Sequence, residues 1–526
     1  MKLSAAREPL TAFRSHLYAC FPKRADAIMN LLDALTCHGR ECNSVVQLCN
    51  TPAFERQYSS ITDAIADGLP YADWSAIQSL LYQQREEKSN TIVNRFIMDC
   101  TGNPRKYARK LADRHITHTP NPAPGNKPIA VGHQYSVLTL LPTSASALEK
   151  HWLLPLSAQR VQSHQKGNEV GMSQLSNIMN SLGLTDQMSV SIGDSLYGTE
   201  RCRVAAAKHD NLVHIFRLNS KRNVFCAPVT VAAESRKKGK AGRHKEFGAK
   251  MNLGIPNTHP PSDQQATTEW ISRRGKKYLV TIDVWNNMLL RGSRSFRSSE
   301  HPMNVIRITV IDEDGKPLYK RPLWLAVFGK RRHEISLVDV YESYRSRYDI
   351  EHFYRFSKRN LLMDAYQTPD VDHEELWWSL CLLAYIQLYL AKDIVPTMPQ
   401  PWERYLPVYK NNESTTDSVS TPSQTQRGFS QVLDQIGTPA KPCIARGKPR
   451  GRIVGDLQEK RVEQPVIFKS GKLGKNADKQ NLLTSGSAAN LPNPQKIEQL
   501  IQMVQLSLGK LEVSPSEFSK MLFDST

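Results

Sequence analysis

Residues 344–358 read YRSRYDIEHFYRFSK, and the spacing of four polar side chains in this segment decides how the rest of the chain is read. As part of one helix running roughly from Leu337 to Asn360, the segment places Tyr344, Arg347, Glu351 and Lys358 at offsets of 0, 3, 7 and 14 residues. At about 100° per residue, these offsets fall within roughly 60° of the helix circumference. A hydroxyl, a guanidinium, a carboxylate and an ammonium then share one stripe. If the stripe is buried, each group needs a partner. If it is exposed, it is a solvated face with ion pairs such as Glu351 with Arg355 at i,i+4. The helix alone leaves both readings open.

Two carboxylates earlier in the chain bear on the choice. Asp99 ends the apolar run RFIM and precedes Cys100-Thr101-Gly102, and Asp194 ends SVSIG and precedes Ser195-Leu196-Tyr197-Gly198. Each sits where a strand passes into a turn, the usual place for a reactive group in an α/β sheet. Taken singly, such an Asp is more often a turn or capping residue. Together with Glu351 they make a site of three acids, which would repel one another and favour protonation unless cations bound between them. Oxygen ligands without a convincing His/Cys set point to magnesium or manganese.

The chain has 526 residues, with 69 Lys+Arg against 50 Asp+Glu and a formal charge of +19. The length allows three or four domains or one large core with insertions, and the charge surplus calls for a polyanionic partner. The start, MKLSAAREPL, lacks an apolar signal segment. The most apolar stretch, LWWSLCLLAYIQLYL from Leu376 to Leu390, is too short to span a bilayer and reads as a buried helix. A soluble, intracellular protein with free thiols is expected from this and from nine irregularly spaced cysteines. Cys37, Cys42 and Cys49, with His38, are wider apart than the usual zinc pairs and read as ordinary buried residues.

Residues 1–88 space their apolar side chains as helices do, and from residue 89 short apolar runs alternate with helix-like segments, giving an α/β core over 89–221. Residues 222–325 read as a β-rich insertion carrying basic runs from Glu234 and Ser272, with phosphate contact and solvated loop as the two readings. The core resumes over 326–395. Residues 396–526 read as a mostly disordered basic tail, with 408–490 disordered and a short helix carrying Ile497, Leu500, Ile501, Val504, Leu508 and Leu511.

The spacing Tyr344, Arg347, Glu351, Lys358 matches the Y(2)R(3)E(6)K signature of bacterial insertion-sequence DDE transposases of family four. The turns that begin at Asp99 and Asp194 resemble that family's first and second aspartate motifs, and the likeness covers about residues 90–392. The resemblance implies an RNase H-like core in which Asp99, Asp194 and Glu351 are catalytic and bind two Mg2+ or Mn2+ ions. It implies metal-dependent nicking of double-stranded DNA at terminal inverted repeats. Transesterification by the freed 3′-hydroxyl, commonly through a hairpin, and joining to target DNA would follow. Tyr344, Arg347 and Lys358 would hold the terminal DNA, and one of Trp270, Trp285 or Trp324 a flipped base. A homodimer in the synaptic complex and a cytoplasmic, nucleoid-associated location are implied as well.

The first 88 residues show no helix-turn-helix signature, so the helical N-terminal domain is a candidate for end binding on position alone. In the tail, Arg446-Gly447-Lys448-Pro449-Arg450-Gly451-Arg452 resembles an AT-hook core, with Arg450 and Arg452 as minor-groove contacts and Ile453 where a second proline is usual. Two other functions compete. Gly193-Asp194-Ser195-Leu196 spells the nucleophile block of GDSL esterases, with Ser195 as nucleophile and His373 of Asp370-Val371-Asp372-His373 as base. An inert DNA-binding relative would lack one of the acids, and all three are present.

Overall fold

A computed structural model of the chain describes residues 2–85, 93–118, 128–142, 152–228, 246–271, 276–395, 420–444, 455 and 460–468. Four helices come first: α1 (Lys2–Ala19), α2 (Ala25–His38), α3 (Ser59–Asp63) and α4 (Trp74–Gln83). A 10-stranded sheet then begins with β1 (Asn94–Pro104), β2 (His115–His118), β3 (Ile129–Leu140), β4 (Leu154–Val161), β5 (Ser189–Gly193) and β6 (Leu212–Arg217). Helix α5 (Gly167–Ser181) joins β4 to β5, and α6 (Glu200–Ala206) joins β5 to β6. β1 lies antiparallel to β3 on one side and parallel to β5 on the other, and β5 is parallel to β6. β4 and β2 pair with β3. An antiparallel strand group passing through a central β1 into helix-linked parallel strands fits an RNase H-like core. All five residues of β5 are buried, as expected for a parallel strand covered on both faces.

β7 (Asn223–Phe225) and β8 (Lys250–Asn252) form a separate pair. β9 (Gln264–Ile271), β10 (Lys277–Met288), β11 (Met303–Asp312) and β12 (Leu323–Phe328) form an antiparallel meander. β12 also pairs antiparallel with β6, from Leu325 opposite Arg217 to Phe328 opposite His214. The β-rich segment therefore extends the core sheet, and the composition change near residue 325 falls inside a strand. Buried Trp324, Leu325, Ala326 and Val327 explain this, because the apolar run has sheet on both edges. The basic run from Glu234 lies mostly outside the described residues, as do residues 272–275.

Among the described residues four helices follow: α7 (Leu337–Ser346), α8 (Asp349–Asn360), α9 (Val371–Ala391) and α10 (Pro422–Ile436). α9 is the apolar stretch noted above, buried on every side. Trp378 stacks on Tyr135 of β3 with ring centroids 4.0 Å apart. Gln387, which interrupts the run, is used within the core. Arg14 of α1 donates to its carbonyl oxygen, its amide donates to Thr36 of α2 at 3.1 Å, and Arg14 also pairs with Asp33 at 2.6 Å. The N-terminal helices and α9 thus share one hydrophobic core. No described helix is long and apolar enough to cross a membrane.

The expectation of disorder over 408–490 is corrected where residues are described. Residues 422–436 are helical because Thr421 and Gln424 form a capping box, Pro422 occupies the first turn, and Phe429 and Val432 are buried against the core. These few apolar residues at helical spacing are diluted by polar composition. The proposed terminal helix and Arg450 and Arg452 lie outside the described residues. Phe429→Ala should reduce the free energy of unfolding by about 3–5 kcal/mol in urea titration. A change below about 0.5 kcal/mol would show that α10 is not part of the cooperative fold.

Candidate active site

The sheet register brings Asp99 and Asp194 to equivalent places. The last parallel partners of β1 and β5 are Ile97 and Ile192, and each Asp lies two residues further along its own chain. With side chains alternating at period two and strands about 4.8 Å apart, the two carboxylates leave the same face side by side. Asp194 is extended (φ −77°, ψ −168°), and its carboxylate accepts a hydrogen bond from the Leu196 amide at 2.8 Å, which fixes its direction. The glycines of this turn make room for packing. A Cβ at Gly193 would come within 2.5 Å of Tyr197 Cγ, and one at Gly198 within 2.7 Å of the Phe216 ring. Tyr197 in turn is buried, its hydroxyl 3.9 Å from Cys100 Sγ.

The segment carrying Tyr344, Arg347, Glu351 and Lys358 is two helices and not one. Between α7 and α8, Arg347 N bonds Tyr344 O, Tyr348 N bonds Arg345 O and Glu351 N bonds Tyr348 O, at 3.1, 3.3 and 3.0 Å. These i to i−3 bonds tighten the winding from about 100° to about 120° per residue and rotate the later residues relative to the earlier ones. α8 is tied to β1 in two places. Tyr354 Oη donates to the main-chain oxygen of Asp99 at 3.0 Å. Lys358 Nζ donates to Thr101 Oγ1 at 2.9 Å and to Gly102 O at 2.6 Å. Glu351 stands one turn before Tyr354, on the approach to Asp99.

The electrostatics show that these groups act on one another. Burial pushes the Asp99 carboxyl up to about 6; Arg347 opposes this, and Asp194 and Glu351 both add to it. Burial works against the Arg347 charge, but Tyr344, Asp99 and Asp194 outweigh it, so the guanidinium holds its proton more firmly than an ordinary arginine. Burial also raises the Tyr344 hydroxyl, against the pull of Arg347 and of Arg217 at the end of β6. The donor set of three carboxylates suits a hard divalent ion. Among the described residues, however, no three His, Cys, Asp or Glu side chains are drawn together tightly enough to grip one. The acids that would hold metal are Asp99, Asp194 and Glu351, with Arg347 as the nearest counter-charge.

Other expected residues fall differently. The Lys358 ammonium is engaged inside the protein, and burial lowers its pKa. It braces β1 through these two bonds. Trp285 and Trp324 are buried against each other, ring centroids 5.6 Å apart. Trp270 keeps an open side, stacks on Tyr278 at 4.8 Å and has Arg345 5.2 Å from its ring. Cys37 and Cys42 are buried free thiols. Asp370 is the α9 cap, bonded to the amides of Asp372 and His373, and among the described residues no hydrogen bond joins Ser195 to His373. Tyr354 and Arg217 were missed from the sequence. Tyr354 lies ten residues after Tyr344, within about 80° of it on a helix, and could have been read with the stripe. Arg217 carries no local signal.

A family model described as DDE superfamily endonuclease matches residues 16–281. The chain belongs to the DDE superfamily endonucleases. The match takes in Asp99 and Asp194 and ends before the helix that carries Glu351. No curated protein is significantly similar to the chain in sequence.

Asp99 also gives a pH signature. Its folded pKa near 6 lies above the ordinary carboxylate value of about 3.9, so the native state binds this proton more tightly. The resulting stability is complete below about pH 4 and is lost as pH rises through 6. In chelator, Asp99→Asn should therefore match the wild type near pH 4 and exceed it by roughly 1–3 kcal/mol at pH 7.5. Equal stability at both pH values would mean that Asp99 is not held in this environment.

Proposed function

We propose that the chain is a transposase of the insertion-sequence group with the Tyr-Arg-Glu-Lys signature, cutting double-stranded DNA at element ends and joining the freed 3′-hydroxyl to target DNA. The observation that carries this reading is the meeting of Asp99, Asp194 and Arg347 at one place, with Glu351 on the helix tied to Asp99. Membership of the DDE superfamily endonucleases supports DNA as substrate.

Asp99, Asp194 and Glu351 would hold two Mg2+ or Mn2+ ions. When bound, such ions activate a water or sugar hydroxyl and neutralise the leaving oxygen in an in-line displacement at phosphorus. Arg347, firmly protonated beside the acids, would donate to non-bridging phosphate oxygens, and Tyr344 would hold Arg347 in place. Lys358 would act through β1, keeping Asp99 in register with Glu351. The +19 charge would draw DNA to the protein, and two copies would bring two element ends together.

The test uses the DNA flanking the chain's own coding sequence as substrate. Asp194→Asn should reduce Mg2+-dependent nicking at least about a thousandfold, some 4 kcal/mol of transition-state stabilisation. Ser195→Ala, at an exposed position, should nick as the wild type does. Loss with Ser195→Ala and retention with Asp194→Asn would overturn the reading in favour of an esterase-like site.

A further inference from the structure

The segment that follows β1 is built in an unusual way. Between Pro104 and His115 the chain leaves the sheet, and its two flanking arginines, Arg105 and Arg114, are only 3% and 4% exposed. Arg105 donates to the Glu374 carboxylate at 2.5 Å and to the main-chain oxygens of Asp364 and Tyr366 at 2.6 and 2.7 Å. Glu374 is fully buried and is also bonded by His133 and Tyr135, at 2.5 and 2.9 Å. Among the described residues, Arg114 donates to main-chain oxygens alone: those of Arg105, Lys106, Arg109 and Leu111 within the loop, and that of Gln464.

A buried guanidinium is tolerated only where hydrogen bonds replace its water, and for Arg114 main-chain carbonyls supply them. Here they draw the loop's own carbonyls inward. Two further restraints close it. Asp113 adopts a left-handed backbone (φ 59°), with its carboxylate accepting from Arg160 and from the Ser163 amide. Residues 460–468 run along the other side, where Gln464 N bonds Arg109 O at 2.8 Å and Ile467 N bonds Arg114 O at 2.7 Å. A non-glycine residue in that region persists only where its surroundings over-determine it.

What this frame holds outward is Lys106, Tyr107, Arg109 and Lys110, all exposed on their outer side, Tyr107 to 82%. Among the described residues Arg109 has one acidic neighbour, Glu463 at 3.9 Å, with both side chains largely in solvent, and such a pair is worth little. Lys106 Nζ stands 5.2 Å from the Tyr107 ring. A loop whose only task is to connect two strands has no need of two buried arginines. A loop that must meet a rigid polyanion at a fixed distance does.

We propose that residues 104–112 form a rigid clamp for duplex DNA, in which Lys106, Arg109 and Lys110 contact phosphates and Tyr107 packs on the sugar edge. The inference rests on the transposase reading for its choice of DNA. The placing favours that choice, because the clamp continues the strand that carries Asp99. At about 3.3 Å per residue, Pro104 lies about 17 Å beyond Asp99, near five base steps of 3.4 Å. Duplex entering the site would cross the clamp about half a helical turn from the reacting phosphate. The duplex could be the element end or the target, and both present the same phosphates.

The test compares the full-length chain with Lys106→Ala/Arg109→Ala/Lys110→Ala, a surface change that leaves Arg105 and Arg114 in place. Binding of two labelled duplexes, one from the DNA flanking the coding sequence and one of arbitrary sequence, is followed over 50–300 mM NaCl. Removing three phosphate contacts should make the slope of log K against log salt shallower by about 2.7. Affinity at low salt should fall at least tenfold. A loss confined to the flanking duplex assigns the clamp to the element end, and an equal loss on both assigns it to DNA of any sequence, as target capture requires. Unchanged slope and affinity on both duplexes would overturn the clamp. Asp194→Asn, tested for nicking in parallel, separates the two claims. If it nicks normally while the triple variant loses binding, the transposase mechanism fails and the clamp stands.

Discussion

The hydrogen bond from Tyr354 to the main-chain oxygen of Asp99 is the contact on which the site depends. Asp99 and Asp194 are aligned by the β1–β5 ladder, which needs only strand register. Glu351 comes from a different element, 157 residues after Asp194 and 252 after Asp99, and the β1–β5 ladder does not specify where it should stand. Tyr354 and Lys358 supply that specification by attaching α8 to β1 at Asp99 and again at Thr101 and Gly102. Two attachments about one helical turn apart set both the height and the direction of the helix. The first turn of α8, with Glu351, is then committed to the neighbourhood of Asp99.

That commitment is backed by the core behind it. α8 is strongly amphipathic, with Ile350, Phe353, Tyr354, Phe356 and Ser357 buried. Phe353 and Phe356 pack edge-on to Tyr385 of α9, at 4.8 and 5.8 Å. α9 is apolar all round and has to be covered on every side, which the N-terminal helices, β4 and α10 accomplish. Charged and amide groups inside this packing answer one another in the Arg14–Asp33–Gln387–Thr36 group. An unanswered charge there would be far more damaging than the pair is stabilising. The N-terminal helices therefore belong to the support of the catalytic core, whatever else they do.

Much of this was legible in the sequence, for identifiable reasons. Asp99 and Asp194 stand out because short apolar runs end at them; Asp194 does follow the end of β5, but Asp99 lies inside β1, which continues to Pro104 because Cys100–Pro104 stay paired with β3. The Tyr-Arg-Glu-Lys spacing was legible as a stripe, but the tightened turn at Arg347–Tyr348 was not, since no Pro or Gly marks it. A DNA-facing Lys358 is what the resemblance to the Tyr-Arg-Glu-Lys group implies. Its actual partners, a threonine hydroxyl and a glycine carbonyl on β1, are more than 250 residues away in sequence. Contacts between parts of the chain remote in sequence likewise hid the pairing of β12 with β6 and the role of Arg105 and Arg114. α10 was hidden by composition, because Phe429 and Val432 carry its burial within a polar segment.

The charge pattern follows from the same geometry. A basic protein surrounds a small acidic centre, and Arg347 lies at the boundary, held protonated by the acids and by Tyr344. The central claim is that Asp99, Asp194 and Glu351 bind metal together. The most direct measurement is anomalous diffraction from crystals of the chain soaked in Mn2+. Density is expected between the Asp99 and Asp194 carboxylates, with Glu351 turned toward it. Density on Asp349 or Asp364 instead, or none near Asp99 at saturating Mn2+, would contradict the account.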